Sequence, residues 1–321
     1  RGVNLGGINQ ILWLSPLMVL YGAMGKFLAF DNQTIVRLIF YVPSIVFSIV
    51  GPYILTKSLK FSKTVGFFAS LLYSLNTYFI LLVDGGQVGV ALAYGLFPIS
   101  FLFIKKLVDS PNIINFFFAF CFGLFLSIID PRIYIILILL LLIWTFFERK
   151  SVILLLILQI PIFISNLYWL YPMLMLGQNM NSSALSLQNS SLLNSLTLFA
   201  PHWPNNIFGK FDSRPFYFLL VPILLFGSFI LTTDEGEKYI KKSTKIIAVL
   251  FLLFAFLAKG TGNPFGEFYS FLVNKIPFGL AFRDSSKFFI PLMLLGGILI
   301  GRTVEKLENI KITKITSISF I

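Results

Sequence analysis

The chain has 321 residues, of which 57% are hydrophobic and only 12% are charged. Soluble globular domains carry about 25% charged residues, so this composition excludes an ordinary soluble domain. A net charge of +12 would suggest a nucleic-acid partner in a soluble protein. In a membrane protein, basic loops on the cytoplasmic side are the simpler explanation. We therefore expect the lipid bilayer as a partner and no nucleic acid.

Residues 8–27 form the first apolar run, which Pro16 interrupts and which Gly6 and Gly7 precede. This run is either a spanning helix with Arg1 inside or a broken helix that lies in the outer interface, and its proline and glycines favour the second. We predict three parts: residues 1–34 as the end of a first outer loop with an interfacial or re-entrant helix, residues 35–301 as the transmembrane bundle, and residues 302–321 as a cytoplasmic segment that leads to a further, truncated span.

Long apolar runs recur along the rest of the chain. A spanning helix needs about 20 apolar residues, and a helix satisfies its own backbone polar groups within the bilayer. The runs that fit this pattern are residues 35–56, 64–83, 88–104, 113–129, 133–147, 152–176, 216–231, 246–258 and 288–301. The sequence therefore predicts an all-α fold, a polytopic transmembrane helical bundle of about nine to ten spans.

The lysines and arginines predict the orientation of this bundle. When the loop 57–63 is placed in the cytoplasm, every cytoplasmic loop contains a pair of basic residues or more, and most of the 25 lysines and arginines fall on that side. The extracytoplasmic face then receives the turn 84–87, the helix start 130–132 and the long segments 177–214 and 259–286. We expect an integral multi-pass protein of the plasma membrane with its active side extracytoplasmic. Because the chain begins with Arg1 and ends inside an apolar run, we also expect it to be an internal part of a longer protein.

Charged residues cluster at two predicted helix starts on the outer face. Asp130, followed by a proline, and Asp284 are typical helix caps, but Arg132 and Lys287 place cations where the helix dipole favours an anion. One interpretation is a phosphate or pyrophosphate clamp formed with Arg283, since arginine binds phosphate through a bidentate fork. The other is local pairing of each cation with its neighbouring aspartate. Two such starts on one face favour the clamp.

The remaining outer polar groups are weaker candidates. Asp84 and Gln87 flank two glycines, which indicates a tight turn or, alternatively, polar contacts to a ligand that enters from outside. His202 is the only histidine, and with Trp203 it lies in a proline-flanked segment able to stack on a sugar ring, although a lone histidine is more often structural. Glu267 is a further group able to transfer a proton.

The sequence lacks the common motifs of metal and nucleotide chemistry. Cys121 is the only cysteine, which excludes an internal disulfide and a cysteine-based metal site. There is no HExxH, P-loop or GxSxG motif. No metal ligand is predicted and no cofactor is firmly implied, while a divalent cation is left open.

Four short segments together resemble the polytopic GT-C glycosyltransferases. They are the Asp-Gly-Gly-Gln turn at 84–87, a helix with Ala93-Tyr94 and Phe97-Pro98, the Asp-Pro-Arg at 130–132, and residues 282–288. The last segment is similar to the Arg-x-x-x-Lys-Phe stretch of arabinofuranosyltransferase-type membrane proteins of cell-wall synthesis. YfhO-like membrane proteins share the early glycine-rich turn and the proline-containing helix.

This resemblance implies transfer of a sugar from a polyprenyl-phosphate donor to a glycan, lipid or protein acceptor of the cell envelope. It also implies a catalytic carboxylate in the first outer loop, most of which would precede Arg1. Asp31 is the only acidic residue before Asp84, so the catalytic base stays unassigned, either upstream of Arg1 or among Asp31, Asp84 and Glu267. Substrate and phosphate binding fall to Arg132, Arg283, Lys287, Asp130, Asp284, Gln87, His202 and Trp203.

Two other functions stay open at this point. The protein could be a transporter or flippase for lipid-linked saccharides, or an inactive membrane assembly protein. The predicted spans lack ionisable residues near their middles, which argues against ion-coupled transport but not against passive scrambling.

Overall fold

The computed structural model describes residues 11–176, 187, 189–203, 205–211, 215–231, 238–276 and 279–318, the side chains of 176, 238 and 311–318 excepted. Residues 1–10, part of the predicted outer segment 177–214 (177–186, 188, 204 and 212–214), and residues 232–237, 277–278 and 319–321 lie outside this description. The helices are α1 (Ser15–Phe27), α2 (Asn32–Val36), α3 (Val42–Ser58), α4 (Lys63–Ser74), α5 (Thr77–Asp84), α6 (Val88–Asp109), α7 (Ile113–Ile129), α8 (Pro131–Glu148), α9 (Ile153–Ser165), α10 (Leu167–Leu176), α11 (Leu192–Leu196), α12 (Leu220–Ile230), α13 (Lys238–Ala258), α14 (Gly266–Lys275) and α15 (Phe289–Ile318).

Short irregular elements connect these helices. Turns of 3₁₀ helix lie at Leu12–Leu14, Phe216–Leu219, Gly279–Phe282 and Ser285–Phe288, and a π-helical turn at Arg37–Tyr41 joins α2 to α3. Strands β1 (Asn205–Asn206) and β2 (Gly209–Lys210) form an antiparallel pair. The predicted all-α fold class is confirmed.

Several helices are long and apolar enough to cross a membrane, which indicates a membrane protein. Within the described residues these are Asn32–Ser58, Lys63–Asp84, Val88–Asp109, Pro131–Glu148 and Ser285–Ile310, which makes 5 spans. A bent pair, Ile153–Ser165 with Leu167–Met175, makes up to 6 if it counts as one span. The nine to ten predicted spans are not confirmed, because Ile113–Ile129 and Phe216–Ile230 are shorter and α13 begins with lysines.

The bend between α9 and α10 interrupts a run that the sequence presents as continuous. The two helices meet at 73°, and Asn166 lies at the break. Its amide nitrogen donates to the Ile162 carbonyl at 2.8 Å and to the Ser127 hydroxyl at 2.9 Å. Its amide oxygen accepts from the Trp169 indole at 2.6 Å. The side-chain amide of Asn166, which is buried, is thus hydrogen-bonded at both its nitrogen and its oxygen where the two helices meet.

Helices α6 and α15 form the centre of the bundle. Helix α15 packs against α4, α12 and α13, while α6 packs against α3 and α7. Along α15, a Cβ on Gly297 would lie 3.1 Å from the Cα of Ala69, and one on Gly301 would lie 2.9 Å from the Cα of Val65. These two glycines therefore let the backbones of α4 and α15 approach closely, as small residues do in membrane helix pairs.

The last helix continues past the domain boundary predicted at residue 302. Helix α15 runs to Ile318 and so includes most of residues 302–321, which the sequence predicts to be a cytoplasmic segment. Arg302 pairs with Glu305 one turn later, and the Lys306 ammonium donates to the carbonyls of Ser228 and Leu231 at 2.6 and 2.9 Å. These polar contacts replace apolar packing and allow the helix to extend beyond its apolar part.

The N-terminal helix α1 starts at the predicted interruption. Pro16 lies in its first turn, where its missing N–H would have no partner in any case. With 13 residues the helix is shorter than the about 20 residues that a span requires. This length favours the interfacial interpretation of the segment over the spanning one.

A buried ionic network ties α6 to α8 at the end predicted to be cytoplasmic. The Lys105 ammonium lies 3.0 Å from Asp109 and 3.1 Å from Glu148, and Lys150 contacts Asp109 as well. The Trp144 ring lies 5.5 Å from the same ammonium. Because every charge in this network has a partner, we interpret it as structural.

Candidate functional site

The first part of the site is the start of α8. Asp130 caps this helix and is 2% exposed. Its carboxylate accepts hydrogen bonds from the Arg132 backbone N–H at 3.0 Å and from Arg132 Nε and Nη2 at 2.9 and 2.6 Å. Asp130 therefore holds the Arg132 guanidinium through a bidentate pair. The third guanidinium nitrogen, Nη1, has no partner among the described residues.

The second part is the 3₁₀ turn that leads into α15. Asp284 caps this turn by accepting from the Ser286 N–H at 3.1 Å, and its Oδ2 lies 2.6 Å from the buried Lys287 ammonium. Burial would raise the pKa of Asp284, but the Lys287 charge and the hydrogen bonds from Lys287 and Ser286 lower it to about 2. The Asp284 carboxylate is thus ionised at neutral pH, and 43% of its side chain is exposed.

The two helix starts meet at Tyr78 of α5. Asp284 interacts electrostatically with Arg132, and the Tyr78 phenol lies within the field of Asp130, Arg132 and Asp284. The Tyr78 ring stacks on Phe289 at 5.6 Å. Together, Tyr78, Asp130, Arg132, His202, Asp284 and Lys287 form a group that we call the polar cluster.

His202 reaches the polar cluster from the loop that follows α11. Its ring centroid lies 4.8 Å from that of Tyr78 and 4.5 Å from that of Trp203. Both imidazole nitrogens are buried and have no hydrogen-bond partner within the described part of the chain. Burial lowers the pKa of His202 to about 4. The negative charge of Asp284 raises this pKa, and the positive charge of Lys287 lowers it further. The imidazole is therefore neutral at physiological pH and able to donate one hydrogen bond and accept another.

The loop that carries His202 rests on the glycine turn after α5. Trp203 lies against Gly85, where an added Cβ would be 2.4 Å from the indole ring. Gly86 has a positive φ of 67°, a conformation that glycine adopts without strain. The Thr77 hydroxyl donates to the Phe199 carbonyl at 3.0 Å. Glycines at the turn thus seat the aromatic loop beside the polar cluster, and Gln87 lies half-buried at the end of the turn.

The structure does not bring every predicted site residue into this group. Arg283, Asp84 and Glu267 are exposed, and Asp31 caps α2 by accepting from the Thr34 N–H and hydroxyl, both at 2.8 Å. Among the described residues, none of these four predicted side chains forms a hydrogen bond or ion pair with the polar cluster. Arg283 in particular does not join Arg132 and Lys287 as the predicted clamp requires.

The charges of the polar cluster balance. Arg132 and Lys287 each lie within hydrogen-bond distance of a carboxylate, which is the local pairing that the sequence left as an alternative to the clamp. An incoming phosphate would compete with Asp130 and Asp284 for the same donors. Within the described ranges, no group of three or more histidine, cysteine or acidic residues is placed to hold a metal ion.

Two aromatic residues of the site are not marked as site residues by any pattern in the sequence. Tyr78 lies in an apolar run where a phenol is unremarkable, and Trp13 lies in the first apolar run. The Arg132 guanidinium lies 5.8 Å from the Trp13 ring centroid, within cation–π range, and Trp13 packs edge-on against Trp169 at 5.8 Å. Their role follows from tertiary packing alone.

Comparison with known proteins returned no matching family model, no matching curated protein and no matching solved structure. The chemistry of the polar cluster is therefore the basis for a functional assignment.

Proposed function

We propose that this protein is a membrane glycosyltransferase of the GT-C type, with about nine to ten spans in the plasma membrane. It transfers a sugar from a polyprenyl-phosphate donor to a glycan, lipid or protein acceptor on the extracytoplasmic side. One observation carries the proposal: an accessible carboxylate, an arginine with a spare donor and a neutral imidazole converge at one end of an apolar helical bundle. The GT-C resemblance of the sequence supports the same assignment.

Arg132 is the residue that binds the donor phosphate. Its Nε and Nη2 are held by Asp130, which fixes the plane of the guanidinium, while Nη1 is left for a ligand and 27% of the side chain is exposed. The start of α8 adds the positive end of the helix dipole, which favours an anion. Asp130 therefore acts as a positioning residue for Arg132.

Asp284 is the residue that receives the proton of the acceptor hydroxyl. The hydroxyl oxygen attacks the anomeric carbon, the bond from that carbon to the phosphate oxygen breaks, and the phosphate leaves with the electron pair toward Arg132. The pKa of about 2 keeps Asp284 ionised but makes it a weak base, so the hydroxyl proton moves to it only as the new bond forms and the hydroxyl becomes acidic. Lys287 orients Asp284, and Trp203 offers a face on which a sugar ring stacks.

The test is a transfer assay on the full-length protein in vesicles with a panel of polyprenyl-phosphate sugars. We expect Asp284→Asn to lower transfer by about 10²–10⁴-fold, the usual contribution of a proton-transfer group. Arg132→Gln should lower it by about 10²–10³-fold, as the loss of one donor to a developing negative charge does. The matched controls are Asp84→Asn and Arg283→Ala, since both side chains are exposed and make no ion pair with the polar cluster among the described residues. These controls are expected to retain transfer.

Two outcomes would contradict the assignment. If Asp284→Asn keeps full transfer activity, the base lies elsewhere, and the other predicted carboxylates, Asp31, Asp84 and Glu267, become the alternatives. If no donor supports transfer while a labelled lipid-linked saccharide crosses the vesicle membrane, the protein is a transporter or flippase instead.

A further inference from the structure

Helix α14 has three faces of different character. Tyr269 and Val273 are 1% and 3% exposed and face the protein. A second sector carries Phe268 and Phe271, which are 52% and 57% exposed, and Phe265 precedes it at 74%. At 3.6 residues per turn, the exposed Glu267 and Asn274 and the half-buried Ser270 fall in a third sector. The exposed Lys275, in the last turn, falls between Phe268 and Phe271.

The aromatic face of α14 continues an apolar stripe of α13. Val249 and Leu252 of α13 are 47% and 48% exposed, and Phe256 follows on the same side one turn later. The Phe256 ring lies 6.3 Å from the Phe268 ring. The exposed surface of an apolar bundle helix therefore runs without a break onto the aromatic face of α14.

We propose that α14 lies in the plane of the membrane interface, with Phe265, Phe268 and Phe271 inserted into the lipid. A helix with one apolar sector, one polar sector and a basic residue at its end has the pattern of interfacial helices. Lys275 supplies this basic residue in the last turn, where its ammonium reaches anionic headgroups. The partner of this surface is the lipid bilayer itself.

The buried face of α14 connects this insertion to the polar cluster. The Tyr269 hydroxyl donates to the Phe282 carbonyl, two residues before Asp284, and the Tyr269 ring packs edge-on against Phe288 at 6.4 Å. The depth of α14 in the interface therefore sets the depth of the turn that carries Asp284 and Lys287. This proposal requires membrane insertion alone and holds whether or not the protein transfers sugars.

Spin labelling tests the proposal directly. Because Cys121 is the only native cysteine, single cysteines can be placed in a Cys121→Ser background of the full-length protein. The protein is reconstituted into vesicles of phosphatidylethanolamine and phosphatidylglycerol. We expect labels at Phe268→Cys and Phe271→Cys to show a several-fold higher ratio of oxygen to nickel-chelate accessibility than labels at Glu267→Cys and Asn274→Cys. Their depth is expected to be about 5–10 Å into the headgroup and acyl boundary.

Two results would overturn the proposal. Equal ratios at all four positions would place α14 in water, and low accessibility to both reagents at Phe268 and Phe271 would show that protein, such as a second copy of this chain, covers the face. A second measurement needs no substitution: a photoreactive lipid should label peptides that contain Phe268 and Phe271 in the native chain. Absence of label from those peptides, with labelling of α13, would equally contradict insertion.

Discussion

The indole ring of Trp203 lies directly on the backbone of Gly85. A Cβ at Gly85 would be 2.4 Å from Cη2 and 2.5 Å from Cζ3 of the indole, which is too close for non-bonded carbon atoms. The imidazole of His202 lies 4.5 Å from the Trp203 ring. A glycine in an exposed turn thus controls where two aromatic side chains of the site come to rest.

Gly85→Ala is therefore expected to displace the Trp203 ring and loosen the His202 loop. Overpacking of this kind costs about 1–3 kcal/mol, and the displaced indole should change its fluorescence. Thermal unfolding in detergent and tryptophan emission measure the two effects. Gly22→Ala is the matched control, since nothing lies within 4 Å of a Cβ there, and it should be neutral or slightly stabilising in a helix. Equal behaviour of the two variants would show that Trp203 does not rest on Gly85.

Asn76 lies between α4 and α5, and its side chain bonds to groups on both sides of this break, much as Asn166 does between α9 and α10. It is 1% exposed, caps α5 by accepting from the Phe79 N–H at 2.9 Å, and donates to the Tyr94 hydroxyl at 2.8 Å. The Tyr94 hydroxyl in turn donates to the Tyr73 carbonyl at 2.6 Å, and the two tyrosine rings stack at 4.0 Å. These bonds join the end of α4 to α6.

Asn76→Ala should lower the free energy of unfolding by about 1–3 kcal/mol, because buried acceptors lose their donor. Ser74→Ala is the control, since the Ser74 hydroxyl donates only to carbonyls of its own helix. Denaturant or thermal unfolding in detergent compares the two. A Ser74→Ala effect as large as that of Asn76→Ala would assign the loss to the helix end rather than to the bonds with Tyr94.

The sequence predicts the local features of the site because their causes are local. Asp130 and Asp284 cap their helices as expected, since a cap bonds backbone groups within its own turn. The pairing of each aspartate with a cation of the same turn was one of the two predicted alternatives. By contrast, nothing near His202 in the chain indicates Tyr78 as its neighbour, because that contact depends on the path of the intervening segments.

The breaks between helices inside the apolar runs also depend on contacts between residues that are distant in the sequence. Asn76 and Asn166 lie inside apolar runs that the sequence assigns to single spans, each between two helices, and the amide of each meets a polar group on another helix. Only the run that contains Asn166 is bent, by 73°, while Lys63–Asp84 counts as one candidate span. A sequence pattern cannot supply those partners. In the same way, no local pattern around Lys306 of α15 indicates that its acceptors lie at the end of α12.

His202 is expected to make the stability of the protein depend on pH in one window. Its pKa lies near 4 in the folded protein, against 6.5 ordinarily. Between these values the unfolded chain binds a proton that the folded chain does not, so the free energy of unfolding falls as the pH falls from 6.5 to 4. The loss is at most about 3 kcal/mol, at 1.36 kcal/mol for each pKa unit.

Thermal unfolding across this pH range checks the prediction. His202→Phe keeps an aromatic ring beside Tyr78 but cannot titrate, and it should remove the slope between pH 6.5 and 4. The sequence has no other histidine, so no second imidazole can produce the same dependence. Asp284 affects stability at a lower pH. Its lowered pKa stabilises the folded protein above about pH 3.8, and this contribution is lost as the pH falls toward 2. A slope that persists in His202→Phe would show that His202 is not the titrating group.

Asp130→Asn separates the charge of Asp130 from its capping role. Asparagine caps a helix about as well as aspartate, so the main change is that Arg132 loses its carboxylate partner. Removal of one partner from a buried ion pair costs about 3–5 kcal/mol, and we expect the lower end because 27% of the Arg132 side chain is exposed. Asp84→Asn is the control, because Asp84 is exposed and such surface changes stay within about 0.5 kcal/mol.

In the double variant Asp130→Asn with Arg132→Gln, part of the lost stability should return, since no uncompensated charge is left. If the double variant is as unstable as the sum of the single variants, the ion pair does not couple the two residues.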